Sequence, residues 1–269
     1  MYEIQKGWNS TISDEEYHKI EAFHSSSVRH LLRSQAHYAA YKSSHFEQTP
    51  AMLWGSLLHS ACLQPELFNK NCVVDEYEGS RTKDVVAWRE SKQAEGKIIT
   101  KQEVYDEIIS ASLKLQVDTT YQSLTKGATL ETAGFYRDDD DVLIKIKPDI
   151  INKDGILLDL KTTSDARSRA FQRSCSDFYY FAQAALYFDV ARELGIPCKA
   201  FGWVAIETKP PFEFMIYIAD DECMEFGRKQ YKQALVNYKQ HYKSTGIMGY
   251  ENKVQELNLP SYLRDTTYL

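Results

Sequence analysis

The pattern of apolar and polar positions divides the chain into a helical first part and a strand-rich second part. Ser25-Ser26-Ser27 supplies N-cap hydroxyls for a helix over 25–41, and Thr49-Pro50 caps another over 51–63. Two further helices are expected over 81–95 and 101–116. Short apolar runs bounded by turn residues then predict three successive strands, 132–136, 142–151 and 156–162. They are joined by Arg137-Asp138-Asp139-Asp140-Asp141 and by Asn152-Lys153-Asp154-Gly155. A helix over 177–194 ends with Gly195 at the C′ position and Pro197 just beyond. Strands over 200–207 and 212–218 flank Lys209-Pro210-Pro211, and Asp220-Asp221 opens a long helix to about Lys243. This order predicts an α/β (α+β) fold, a central mixed β-sheet flanked by helices. With no internal repeat and no Pro/Gly/Ser-rich linker, 1–269 reads as a single domain, with a helical N-terminal part over 1–120 and a sheet core over 130–220.

Composition narrows the class. The 269 residues are 43% hydrophobic and 13% aromatic, enough for a core and too apolar for a disordered chain. No run reaches the roughly 18 apolar residues that a membrane helix needs. Residues 1–10 lack the basic-then-apolar pattern of a secretory signal, so the expected place is the cytoplasm, away from membranes. The five cysteines are scattered with no C-x-x-C pair, which argues against a disulfide framework, a zinc knuckle or a four-cysteine iron–sulfur site. Thirty-two basic residues against 38 acidic ones give a net charge of −6, which on its face argues against nucleic acid. The four consecutive aspartates read as a solvated hairpin turn, because like charges side by side want water.

The chemistry concentrates in Pro148-Asp149 and, ten residues on, Asp159-Leu160-Lys161. Residues two apart on a strand share a face, so Asp159 and Lys161 project together. If the hairpin loop is Lys153-Asp154-Gly155 with Gly155 left-handed, Asn152 opposes Ile156 and Asp149 lies across from Asp159. A two-residue loop would put the aspartates on opposite faces. Asp159 interrupts the apolar run Ile156-Leu157-Leu158-Asp159-Leu160, where an acid is costly unless paired or bound to a cation. Both an Asp–Lys ion pair and a divalent-metal site such as Mg²⁺ satisfy that condition. Gly55 and His59, and later Gln183 and Tyr187, are four apart on their helices and so share a face. His59 among Leu57, Leu58 and Leu63 also fits a core histidine, and a backbone carbonyl would satisfy Gln183.

Gly55-Ser56-Leu57-Leu58-His59, Lys147-Pro148-Asp149, Asp159-Leu160-Lys161-Thr162-Thr163 and Gln183-Ala184-Ala185-Leu186-Tyr187 resemble, in this order, the motifs of the PD-(D/E)XK nuclease superfamily. The likeness is to its RecE branch, the C-terminal nuclease domain of exodeoxyribonuclease VIII. It extends to Ile12-Ser13-Asp14-Glu15-Glu16-Tyr17-His18, Leu63-Gln64-Pro65-Glu66-Leu67-Phe68, Glu131 and Leu257-Asn258-Leu259-Pro260, hence over essentially the whole chain. The resemblance implies a restriction-endonuclease-like core and a Mg²⁺-dependent (or Mn²⁺-dependent) 5′-to-3′ exodeoxyribonuclease on linear duplex DNA. Such an enzyme leaves 3′ single strands for recombination by annealing. It implies metal ligation by Asp149, Asp159, His59 and the Leu160 carbonyl, a catalytic Lys161, and positioning by Gln183 and Tyr187. Glu131 would assist at the metal, or stand as a solvated strand-edge acid. Asp at 159, where the strictest superfamily form has Glu, also occurs in the RecB-like and RecE-like branches. The resemblance further implies a homo-oligomeric ring (a tetramer) and a RecT-type annealing partner. An endonuclease with the same core and a non-catalytic DNA-binding subunit are the alternatives.

The net charge of −6 averages over an uneven distribution. Between Glu21 and Glu47 there is no acid, while Arg29, Arg33, Lys42 and four of the seven histidines fall there. Ser25, Ser27 and Arg29 at a helix start are candidates for a 5′-phosphate site, with Arg33 beside them. Arg167, Arg169 and Arg173 form a second basic strip, and Arg81 with Lys83 a third. Solvated helix faces are the plain alternative for each.

Overall fold

The computed structural model describes residues 4–44, 48–243 and 246–259. The chain opens with β1 (Gly7–Asn9), α1 (Asp14–Lys19), α2 (Ser25–Arg33), α3 (Gln35–Ser43), α4 (Pro50–Leu63) and α5 (Pro65–Asn71). It continues through β2 (Cys72–Val74), α6 (Lys83–Ala94), β3 (Ile98–Thr100), α7 (Gln102–Gln116) and α8 (Thr119–Thr125). The strand-rich part holds β4 (Thr129–Leu130), β5 (Ala133–Arg137), β6 (Leu143–Ile146), β7 (Ile150–Ile151) and β8 (Ile156–Thr163). After α9 (Ser168–Asp177) and α10 (Tyr180–Glu193) come β9 (Ala200–Glu207), β10 (Phe214–Ile218) and α11 (Asp221–Lys243).

The main sheet has the order β10-β9-β8-β7-β4; β8 and β9 run parallel and the other pairs antiparallel, so it is mixed. Strand alternation assigns its two faces. Leu157, Phe201, Trp203 and Ala205 pack with α2, α10 and α11 on one side; Leu158, Leu160, Val204 and Ile206 pack with α4 and α7 on the other. By this parity Asp159 and Lys161 fall on the α10 side. Strands β1, β5 and β6 form a second, antiparallel sheet, and β2 and β3 a short parallel pair.

Several expected elements divide where a local hydrogen bond or a missing donor interrupts them. The helix over 25–41 is two helices, α2 and α3, because Ser34 is extended (φ −176°, ψ 165°) and its hydroxyl accepts from the His37 amide, capping α3. The strand over 142–151 is also two. Lys147-Pro148-Asp149 carries the chain from the second sheet (β6) into the main one (β7), and Pro148 has no N–H for a ladder. The helix over 177–194 starts only at Tyr180, after Tyr179 in the left-handed region (φ 60°), and the separate α9 precedes it. The helix over 81–95 begins at Lys83, and the strand over 212–218 at Phe214. The aspartate turn is solvent-facing but tethered, since Lys239 of α11 lies 2.6 Å from Asp138 and also pairs with Asp140. His45, Glu47 and residues from Pro260 onward lie outside the described residues.

Candidate active site

The hairpin between β7 and β8 sets the register of the acids. Gly155 has φ 84°, Asn152 donates its amide to the Ile156 carbonyl at 2.9 Å, and Ile150 pairs with Leu158 and Ile151 with Leu157. This is the three-residue loop, and continuing the same register places Asp149 across from Asp159. An added Cβ at Gly155 would lie 2.3 Å from the Pro197 carbonyl oxygen, so the glycine serves both its backbone angle and a close approach.

Asp149 is buried, and its Oδ2 accepts from the Leu160 amide at 2.6 Å. Glu131 follows β4 in the left-handed region (φ 51°), and its amide donates to the Asp149 carbonyl at 3.0 Å, which sets the two acids side by side. His59, from α4, reaches them across the edge of β8. Its Nε2 lies 2.6 Å from the Leu160 carbonyl and 3.5 Å from Asp149 Oδ2, and its Nδ1 lies 3.8 Å from Glu131 Oε1. A carbonyl only accepts, so Nε2 carries the proton of this contact, and Glu131 facing Nδ1 favours a second proton there and the imidazolium form. Burial disfavours that charge, but Asp149, Glu131 and Asp159 outweigh it and hold the ring at about 9. Burial, then the neighbouring Asp159, push the Asp149 carboxyl well above the usual range. Ligand atoms of His59, Glu131 and Asp149 lie within 4.8 Å of one another.

Asp159 stands next to this triple, but its oxygens are engaged elsewhere. Gln183 Nε2 donates to Oδ1 at 2.7 Å, and the Lys161 ammonium lies 2.6 Å from Oδ2, an atom without an aligned hydrogen bond. Burial opposes the charge on Lys161, yet Asp159 raises its pKa. The ammonium also sits 4.6 Å from the centre of the Tyr180 ring. Tyr187 is buried one turn after Gln183, with the Ser25 side chain near it; burial, then Asp159, raise its pKa.

Two features of α11 hold α10 in place. Arg228 grips the Asp189 carboxylate at 3.0–3.1 Å, with the Tyr231 hydroxyl donating to it at 2.7 Å. Gly227 lets the helices close up, since a Cβ there would fall 2.0 Å from the Phe181 carbonyl oxygen. On the opposite face Gly55 is less constrained, with Thr162 Oγ1 at an ordinary 3.4 Å from its would-be Cβ.

The sequence missed Lys147 and Tyr180. Lys147 is 2.8 Å from Glu131 and also pairs with Asp14 of α1; burial lowers its pKa, but these acids outweigh it and leave it raised. Its place directly before Pro148, and that of Tyr180 three residues before Gln183, were the available signals. Glu131 is not the solvated edge acid; its side chain is 15% exposed.

The basic residues are dispersed. Ser27 is fully buried and donates to the His24 carbonyl at 2.5 Å, so its hydroxyl cannot meet a phosphate, which corrects that expectation. Ser25 is half-buried against Tyr187, while Arg29 and Arg33 are exposed, Arg33 donating to the Tyr250 hydroxyl at 3.0 Å. Arg167, Arg169 and Arg173 are exposed on α9 and its cap, Arg167 held by Asp165 at 2.7 Å. Arg81 and Lys83 are exposed at the start of α6, whose main packing partner is β3 and not the main sheet.

Residues 24–247 match the family described as "PDDEXK-like domain of unknown function (DUF3799)", and the chain belongs to that family. Its mixed sheet with flanking helices is the PD-(D/E)XK-like fold. Among solved structures, a Eubacterium rectale protein called "Putative exonuclease" superposes with a TM-score of 0.64 at 13% identity, over 97% of this chain and 100% of that one. A "phage related exonuclease" from Haemophilus somnus 129PT gives 0.34 at 13% identity, over 83% and 96%. No curated protein matches. The five cysteines are free, and among the described residues no helix is long and apolar enough to cross a membrane.

Proposed function

We propose that the protein is a divalent-metal-dependent exodeoxyribonuclease that degrades linear duplex DNA from the 5′ end and leaves 3′ single strands for recombination by annealing. The observation that carries this reading is the convergence of His59, Glu131, Asp149, the Leu160 carbonyl, Asp159 and Lys161 from α4, β8 and the ends of β4 and β7. The donors suit a hard divalent cation: carboxylates and a carbonyl for Mg²⁺, with one imidazole that Mn²⁺ accepts readily. The fit is electrostatic as well. The protonated His59 bridges the Leu160 carbonyl and two acids, so a positive charge already stands where a cation would be held.

When bound, the metal supplies an activated water and neutralises charge on the scissile phosphate. Asp149, Glu131, His59 and the Leu160 carbonyl would hold it, with Asp159 reaching it from its place between Gln183 and Lys161. Gln183 fixes the Asp159 carboxylate, and Asp159 fixes the Lys161 ammonium, which would offset the charge developing on the attacked phosphate or hold the attacking water. Ser25 at the start of α2 and Arg29 one turn on are the candidates for a 5′ phosphate, with Ser25 near Tyr187 of the centre.

The polarity of degradation, the ring assembly and a RecT-type partner rest on the resemblance of the motifs to the RecE branch. The test is digestion of linear and covalently closed duplexes with Mg²⁺, with EDTA as control and label on either the 5′ or the 3′ end. Early release of 5′ label from linear DNA, with the closed circle untouched, supports the proposal. Cutting of the closed circle makes the protein an endonuclease instead.

A further inference from the structure

Phe178 is 57% exposed and occupies the corner between α9 and α10. Its ring stacks on that of Tyr180, with centroids 5.7 Å apart and planes 27° from parallel. The Tyr180 ring in turn carries the Lys161 ammonium at 4.6 Å. An aromatic ladder therefore leads from the lysine paired with Asp159 out to solvent. The left-handed Tyr179 turns the chain at this corner, and Tyr179 and Tyr180 pack against the core while Phe178 stays outside. On the helix leading to it, Arg169 and Arg173 are exposed, four residues apart and so on one face, and neither has an ion-pair partner among the described residues. Asp177 is the one acid of that helix.

A solvent-facing ring stacked on the tyrosine that carries the Lys161 ammonium is a base-stacking platform one step from that lysine, and the guanidinium groups on the other face of the same helix are available to phosphates farther along the strand. We propose that Phe178 stacks on a nucleobase of the strand being cut, next to the nucleotide whose phosphate meets Lys161, and so sets the register of that strand. The proposal rests on the nuclease reading and names a contact that the reading does not supply. Because every base has a π-face, the contact tolerates any sequence and suits an enzyme that advances along a strand.

The test is equilibrium binding by fluorescence anisotropy, with Ca²⁺ in place of Mg²⁺ so that the strand is not cut. The probes are duplexes with a short single-stranded end that carry one abasic nucleotide at successive positions. The wild type should lose about tenfold in affinity when the missing base is the one that stacks. Phe178→Ala should lose about tenfold on intact DNA and nothing more at that position. Phe178→Trp should keep the wild-type pattern, and the melting temperature of Phe178→Ala should stay at the wild-type value, because the ring lies outside the core. Equal abasic penalties in wild type and Phe178→Ala overturn the assignment, including the case where the variant differs only in oligomeric mass and the ring is a protein–protein contact. A wild-type chain that binds no DNA removes the nuclease reading and this inference with it. A wild-type chain that binds and cuts DNA beside an unaffected Phe178→Ala removes the inference alone.

Discussion

His59 Nε2 donates to the Leu160 carbonyl at 2.6 Å, so a proton joins the two groups that the proposal assigns to a cation. Metal and proton therefore compete. Because the folded pKa of His59 is raised to about 9 from its ordinary 6.5, its contribution to stability is complete below about pH 6.5 and is lost as the pH rises through 9. Burial and Asp159 raise the Asp149 carboxyl, so its ionisation as the pH rises costs stability in the same direction. Added Mn²⁺ or Mg²⁺ should therefore raise the melting temperature more at pH 9 than at pH 6.5. Thermal scans with and without metal measure this; a metal effect that is equal at both pH values, or larger at pH 6.5, contradicts the competition.

Lys161 and Asp159 are a buried ion pair, and this separates stability from chemistry. Lys161→Met should leave the carboxylate uncompensated and cost about 3–5 kcal/mol, whereas Asp159→Asn with Lys161→Met should recover most of that loss. Neither variant should cleave DNA. Chemical denaturation alongside a nuclease assay distinguishes the two effects, and a double variant no more stable than the single one would show that the pair is not coupled.

The two helix glycines should respond oppositely to alanine. At Gly227 the new methyl meets the Phe181 carbonyl oxygen at 2.0 Å, so α10 must move, at a cost of about 1–3 kcal/mol and with displacement of Gln183. At Gly55 the nearest atom is 3.4 Å away, and alanine in a helix interior is favoured by up to about 1 kcal/mol. Urea midpoints for the two variants check the ordering, and a Gly227→Ala protein as stable as Gly55→Ala sinks it.

Arg29 is exposed one turn into α2, whose first residue, Ser25, lies near Tyr187. Arg29→Ala should weaken cleavage of 5′-phosphorylated duplex about tenfold more than that of the 5′-hydroxyl duplex, in the range expected for losing a charge-assisted contact. An unchanged ratio of kcat/KM for the two ends removes α2 from end recognition.

The pairing of Asp149 with Asp159 was legible because strand parity is strict and one residue, Gly155, decides the loop length. Motif order likewise led to His59 and Gln183, although each residue alone also fitted a core or carbonyl partner. The division of 142–151 was not legible, since Leu143-Ile144-Lys145-Ile146 and Ile150-Ile151 keep a strand-like pattern on both sides of Pro148. α9 escaped notice because only Phe171 and Cys175 of its ten residues are buried, too few to mark a helical face. Ser27 looked available because a serine that caps and a serine that turns inward have the same sequence signal. Lys147 and Tyr180 owe their places to contacts across the fold, with Glu131 and Asp14 for one and Lys161 for the other.

The most direct measurement is nucleotide release from a linear duplex in Mg²⁺ by the wild type and by Asp149→Asn, a substitution that keeps an acceptor for the Leu160 amide. The wild type should release nucleotides and stop when EDTA is added, while Asp149→Asn should remain folded and release none. Release by Asp149→Asn at the wild-type rate, or no release by the wild type with either Mg²⁺ or Mn²⁺, would contradict a metal-dependent nuclease centre at this site.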